Sequence, residues 1–208
     1  MNTYLDKEFH KLVKILNDMK DIIYKILDYT GKLFSEPNEY IRRDIRKSIE
    51  ELINTIEIIR HDAFIESLVF IARFQPLGKE LRLVEAYINV YYDIYRISRY
   101  CGEISRIDNI IDNFTNETFN DLREGFAWAT EMVKLAIQSF IENNTDMARK
   151  VLDMDNKLDN LYINYLKKLK EMEKVPKYFA TKTILARHIE RIGDHATYIA
   201  EKVLDLNE

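Results

Sequence analysis

From Phe9 onward, apolar residues return at alternating steps of three and four: Phe9, Leu12, Leu16, Met19, Ile23, Ile26, then Thr30 and Leu33. On a helix of 3.6 residues per turn this spacing draws one continuous stripe, and a strand cannot hold it because its faces alternate every second residue. The rhythm returns at Ile41, Ile45, Ile49, Leu52, Ile56, Ile59 and Ala63, and again at Leu185, Ile189, Ile192, Ala196, Ile199, Val203 and Leu206. A helix with one apolar stripe must bury it against other helices, so the pattern predicts a bundle.

Punctuation is sparse, with five Gly and three Pro in 208 residues, too few turns for a many-stranded fold. The segment SEPNEY (35–40) ends the first helix and opens the second, which runs to Phe74. Pro76 stops that helix by lacking an amide hydrogen and turning Gln75 away from helical angles. A third helix is expected from about Leu77 to about Ile111. NFTNETF (113–119), with Thr115 or Thr118 as a cap, is the strongest break in the chain. Beyond it come a helix from Phe119 to Glu142, the turn ENNTD (142–146), a helix through Met147, Val151, Met154, Leu158, Leu161 and Tyr165, and a last helix started by Pro176. The expectation is an all-α chain of six long helices forming two tandem antiparallel three-helix bundles, 1–113 and 114–208. Laying 91–104 over 186–199 without a gap places Ile94, Arg96, Ile97 and Ile104 on Ile189, Arg191, Ile192 and Ile199, as a duplication requires.

A net charge of −4 argues against nucleic-acid binding, which needs a basic footprint. Cys101 is the only cysteine, so no intrachain disulfide or thiolate zinc site forms, and it is read as a core residue. The opening MNTYLDKEFHKLVKIL is broken by charges and carries no export signal, and no apolar run reaches membrane-spanning length. A cytoplasmic location follows as an expectation, with any membrane reached through a partner.

The segment ARHIERIGDHATYIAEKV (186–203) resembles the C-terminal signature of the PhoU family, roughly ERIGDHAxNIAE. QPLGKELR (75–82) resembles that family's QPxAxDLR turn into its third helix, and DNKLDNLY (155–162) its acidic segment on the neighbouring helix. The resemblance covers nearly the whole chain. It implies two three-helix bundles, a cytoplasmic homodimer, and restraint of phosphate uptake through the ATPase of a phosphate ABC transporter and, in bacteria, a sensor kinase. It also implies metal ions, a divalent cation or iron, at an E/DxxxD motif.

Glu190 and Asp194, four residues apart, share a helix face, with Glu201 further along it. Asp155 and Asp159 have the same spacing on the preceding helix. If antiparallel packing joins these pairs, four carboxylates converge, and a hard cation is the usual way to keep several ionised together. Oxygen-only ligation suits Mg, Ca, Mn or iron. The stripe lies opposite the seam, so it is expected to face solvent or something other than the bundle core. The plainer reading pairs these acids with Arg187 and Arg191. His188 and His195 fall on a different face and are not counted as ligands.

In the first repeat Tyr95 stands where Glu190 stands and Arg99 where Asp194 stands. The expectation there is a structural ion pair in place of metal, Arg99 with Asp62 or Glu66. Arg82 and Arg191 are read as structural ion-pairing residues, Trp128, Phe126 and Phe140 as packing, and part of the run Tyr87, Tyr91, Tyr92 and Tyr95 as an exposed patch. A regulatory adaptor, not an enzyme, is the reading favoured. The alternatives are an accessory to another transporter, such as a phosphate permease or cation channel, and a two-metal phosphoester hydrolase. Hydrolases of that kind usually turn their metal ligands into the bundle core, which this stripe does not face.

Overall fold

The structure, a computed structural model, describes residues 3–111 and 119–208, with side chains from residue 8 onward. All regular structure among them is helical: α1 (Thr3–Leu33), α2 (Glu39–Phe74), α3 (Lys79–Ile111), α4 (Asn120–Glu142), α5 (Thr145–Lys170) and α6 (Lys177–Asp205). The helices α1 to α3 pack on one another as one antiparallel bundle and α4 to α6 as the second. The expected all-α fold of two three-helix bundles is therefore present. The boundary placed at 113, and the caps proposed at Thr115 and Thr118, lie outside the described residues.

The turns follow from local chemistry. Asn38 caps α2 by accepting from the Tyr40 amide, and Asn144 caps α5 by accepting from the Asp146 and Met147 amides. Gln75 ends α2 in the left-handed region at φ 46°, its amide donating to the Ile71 carbonyl; Pro76 disfavours right-handed helical angles at Gln75 and so keeps α2 from continuing, and Gly78 at φ 56° turns the chain into α3. Helix α3 thus starts at Lys79, two residues later than expected, and leaves Leu77 exposed.

The seam of α1 is buried as read, from Leu12 through Leu33, with Thr30 satisfying its hydroxyl on the Ile26 carbonyl. In α2 Ile45, Ile49, Ile56 and Ala63 are buried as expected, but the stripe departs from the expected one at its other positions. Ile41 is exposed and Leu52 only half-buried, while Arg42, Ile45, Ile49, Ile53, Ile56 and Ala63 face inward. The reason is Arg42: buried against Asp108 of α3, it also donates to the Leu33 carbonyl at 2.8 Å, and Arg46 reaches the other Asp108 oxygen at 2.8 Å. A charged pair buried by mutual hydrogen bonds occupies a position that periodicity assigns to an apolar residue.

The two bundles share one core. Helix α3 packs along α6, and α1 touches α4, where Phe34 stacks on Phe126 at 5.5 Å. Buried positions on α3 recur on α6 at an offset of 95 residues: Ile94, Ile97, Ser98, Cys101, Ile104, Ser105 and Asp108 match Ile189, Ile192, Gly193, Ala196, Ile199, Ala200 and Val203. The cross-helix contacts obey the same symmetry. Asp93 meets His195 at 2.8 Å, and the positions related to them by the offset, His188 and Tyr100, also meet, with ring centroids 6.0 Å apart. An approximate twofold axis therefore runs between α3 and α6.

Candidate metal centre in the second bundle

Two helices supply the acids. Asp155 and Asp159 lie one turn apart on α5, and Asp194 on α6 faces them. Helix α5 can come this close because Gly193 has no side chain: a Cβ there would sit 2.6 Å from Leu158 Cδ1 and 3.7 Å from Asp155 Oδ1. One carboxylate oxygen from each of Asp155, Asp159 and Asp194 falls within 4.8 Å of the others. Two oxygens on opposite sides of a calcium-like ion, each about 2.3–2.6 Å from it, stand roughly 4.6–5.2 Å apart, so the spacing suits one cation between three carboxylates.

The electrostatics mark the same place. Burial, then repulsion from Asp159 and Asp194, raises the Asp155 carboxyl above the ordinary carboxylate range. Its Oδ1 is buried and accepts no hydrogen bond. Glu190 is 8% exposed and its Oε2 is likewise buried without a hydrogen-bond donor, with Arg191 Nε 4.0 Å away. Burial first, and then Asp194, pushes its pKa up to about 6 even though Arg187 pulls the other way. Buried carboxylate oxygens without hydrogen-bond donors, beside clustered acids, are chemistry suited to a positively charged ligand.

Of the four residues expected to converge, three do. Glu190 is not part of the oxygen cluster; it turns toward Arg187, which donates to its Oε1, and of the two expectations for it, solvent or something other than the bundle core, its burial removes the first. Helix α6 is packed by α3, α4 and α5, which leaves little of its surface to solvent. Arg191 donates to Asp194 Oδ2 at 2.8 Å, so the plainer pairing with Arg187 and Arg191 coexists with the cluster instead of replacing it.

Arg99 makes no ion pair with Asp62 or Glu66. Gly102 faces Ile53 and Tyr95 faces Arg60, whose guanidinium lies 5.0 Å over the ring, so Arg99 stands level with Ile56. Asp62 and Glu66 are then six and ten residues further along α2, about 9 and 15 Å away along its axis. The inward positions Ile49, Ile56 and Ala63 match Val151, Leu158 and Tyr165 of α5 at an offset of 102. In that register Ile53 stands for Asp155 and Glu57 for Asp159. The first bundle therefore keeps one acid of the cluster, with Tyr95 and Arg99 completing the substitution.

Other expectations sort cleanly. Cys101 is buried and burial pushes its thiol up to about 12, the state of an inert core residue. Arg82 bonds the Asp205 carbonyl at the end of α6 instead of pairing with an acid. Tyr87 and Tyr91 are buried, with Tyr91 donating to the Leu12 carbonyl at 2.8 Å, whereas Tyr92 is exposed. The buried Asp93–His195 pair was not read from the sequence. Its signal was the gapless overlay, which sets Asp93 on His188 and Tyr100 on His195 and so aligns polar residues with polar or aromatic ones at interface positions.

Fold and site together define a class: a duplicated six-helix protein with an acid cluster on one repeat. Within that class the PhoU domain matches residues 16–108 and 122–203, and the chain belongs to the PhoU family. A protein called "Phosphate-specific transport system accessory protein PhoU homolog 2" from Thermotoga maritima is 29% identical over 97% of this chain and 86% of its own length. One of the same description, homolog 1, from Methanothermobacter thermautotrophicus is 26% identical over 94% and 92%. The crystal structure of PhoU from Pseudomonas aeruginosa superposes with a TM-score of 0.85 at 20% identity, covering 97% of this chain and 98% of that one.

Proposed function

We propose that this protein is an accessory regulator of phosphate transport: a cytoplasmic helical adaptor that docks on the ATPase of a phosphate ABC transporter and lowers uptake when phosphate is plentiful. The observation that supports this reading best is the near full-length match to relatives described as phosphate-specific transport system accessory proteins. No helix among the described residues is long and apolar enough to cross a membrane, so transport itself falls to a partner. A sensor kinase is a second candidate partner, and a homodimer the expected assembly.

The second bundle fits a resident cation, divalent or iron. Asp155, Asp159 and Asp194 would hold it, and Glu190 stands beside them with an unsatisfied oxygen. Hard-cation charge would relieve the repulsion between these carboxylates and fix α5 against α6; no catalytic step is required. Deletion of the gene is expected to raise phosphate uptake in phosphate-rich medium, and the purified protein to capture the transporter ATPase. Uptake unchanged by deletion, together with no ATPase captured, would refute the reading.

A further inference from the structure

Where α2 and α3 meet in the first bundle, a cavity of about 250 Å³ opens beside Arg60. Arg60 and Phe64 of α2 line it with Ile88, Asn89, Tyr91 and Tyr92 of α3, so the lining holds one charge and no acid. Tyr91 gives its hydroxyl to the Leu12 carbonyl at 2.8 Å, and Asn89 gives its amide to Glu85, which also meets Lys202 at 3.6 Å. Phe64 and Tyr92 are 41% and 49% exposed and leave the mouth open. Arg60 itself is half-buried, its Nε is buried without a hydrogen-bond partner, and its guanidinium makes no ion pair among the described residues. Glu57, three residues earlier on α2, is exposed and does not pair with it. The contact that eases this charge is the Tyr95 ring, 5.0 Å away, which offsets only part of what a missing counter-ion would supply.

The second bundle shows what this arrangement lacks. Through the offsets of 102 and 95, Arg60, Tyr92 and Tyr95 stand where Tyr162, Arg187 and Glu190 stand. There the Arg187 guanidinium lies 5.1 Å over the Tyr162 ring and also donates to Glu190 Oε1. The same three positions thus carry a ring, a guanidinium and a carboxylate in one bundle, and a guanidinium and two rings in the other. The first bundle keeps the cation stacked on a ring and has no anion for it.

We propose that this cavity is a binding site for an apolar carboxylate, a carboxylate group joined to an aliphatic or aromatic body about the size of one ring. Arg60 takes the carboxylate, the Tyr92 hydroxyl donates to it, and Phe64 and Ile88 flank the body. The two oxygens of a carboxylate match the two parallel donors of one guanidinium. A phosphate would press further oxygens against apolar walls, where acceptors without donors are costly. The cavity is smaller than the roughly 300–1,000 Å³ of pockets for drug-sized ligands, which excludes a nucleotide. The carboxylate can belong to a free acid or to an acidic side chain on a docking protein segment; the chemistry at Arg60 is the same. The inference uses neither the phosphate-transport reading nor the cation site.

The test is titration of the full chain, in chelator, followed by amide chemical shifts, with four probes: 3-phenylpropionate, its neutral amide, acetate, and a capped leucine–glutamate–leucine tripeptide. The phenyl acid is expected to bind saturably and at least about tenfold more tightly than either the amide, which lacks the charge, or acetate, which lacks the body. Arg60→Gln should weaken it at least about tenfold, and Tyr95→Glu as much, by giving Arg60 a carboxylate of its own as Glu190 serves Arg187. Arg43→Gln, an exposed change on α2 outside the cavity, should alter it less than about twofold. Neither Arg60 nor Tyr95 is fully buried, so circular dichroism should show all three variants folded. Tighter binding of the phenyl acid than of the tripeptide assigns the site to a free acid, and the reverse to a protein segment; both support the proposal. No saturable binding by either acid, an amide that binds as tightly as the acid, or affinity unchanged in both Arg60→Gln and Tyr95→Glu would overturn it.

Discussion

Substituting Glu190 by glutamine should stabilise the metal-free protein at neutral pH. Burial and Asp194 raise this carboxyl from 4.5 to about 6, with the attraction of Arg187 already included. The folded state therefore holds its proton more tightly than the unfolded chain does. Stability contributed by the protonated form is full below 4.5, declines between 4.5 and about 6, and is gone above. At pH 7 the ionised group costs the fold about 2 kcal/mol, at 1.36 kcal/mol per pKa unit. Glutamine keeps the shape and an acceptor for Arg187 without the charge. The expected gain is about 1–2 kcal/mol at pH 7, or roughly 2–8 °C in Tm for a chain of this size, and close to nothing at pH 4. Urea and thermal unfolding in chelator, at both pH values, measure it. A divalent cation should then stabilise the wild type more than the variant, because the cation cancels the repulsion that the substitution removes. A Glu190→Gln protein less stable than wild type at pH 7, or shifted equally at both pH values, would refute the reasoning.

Three further changes probe the packing around the sites. Arg42→Ala strands Asp108 in the core without its principal partner and should cost about 3–5 kcal/mol in urea unfolding, with Arg46 at 2.8 Å preventing complete loss of charge balance. Gly193→Ala places a methyl group 2.6 Å from the buried Leu158, so overpacking of about 1–3 kcal/mol should exceed the helix-propensity gain of about 1 kcal/mol, with a net loss of stability in the same assay. Asp93→Ala removes the 2.8 Å partner of His195 across the bundle interface and should destabilise by about 1–3 kcal/mol; unfolding of the two bundles in separate steps would show that the pair couples them.

Periodicity alone revealed the helices, because each apolar stripe is a local property of the chain: Leu12 to Leu33 are buried as read. It failed where a charge replaced an apolar residue inside the stripe. Arg42 is buried only because Asp108, far away in sequence, waits for it. The acid cluster was legible as spacing, Asp155 with Asp159 and Glu190 with Asp194, and three of the four oxygen sets do converge. Glu190 lies outside the oxygen cluster because its carboxylate turns to Arg187 of its own helix, a side-chain direction that a helical wheel of α6 does not carry. The Arg99 pairing failed for a related reason. Spacing within one helix is fixed, but the register between α2 and α3 is set by contacts such as Gly102 against Ile53, and no local signal carries it.

That register explains how two copies of one design came to differ. Positions on the α3–α6 seam are shared by both bundles, so a change there must suit both, and their burial has stayed in step through the offset of 95. Positions facing α2 or α5 answer to one bundle only. There Asp155, Asp159, Glu190 and Asp194 have as their counterparts Ile53, Glu57, Tyr95 and Arg99. If geometry is otherwise conserved and the second bundle takes the one cation proposed for it, restoring the chemistry should restore the site: Ile53→Asp, Tyr95→Glu and Arg99→Asp together should raise divalent-cation stoichiometry from one to two per chain, measured by metal analysis after gel filtration. Without metal the triple variant should be less stable than wild type, since Ile53 is 8% exposed and an aspartate there is buried beside other acids. Saturating cation should recover most of that loss. A folded triple variant that still binds one cation would mean that the two bundles differ in backbone spacing as well as in side chains, and the symmetry argument would fail at the site while holding in the core.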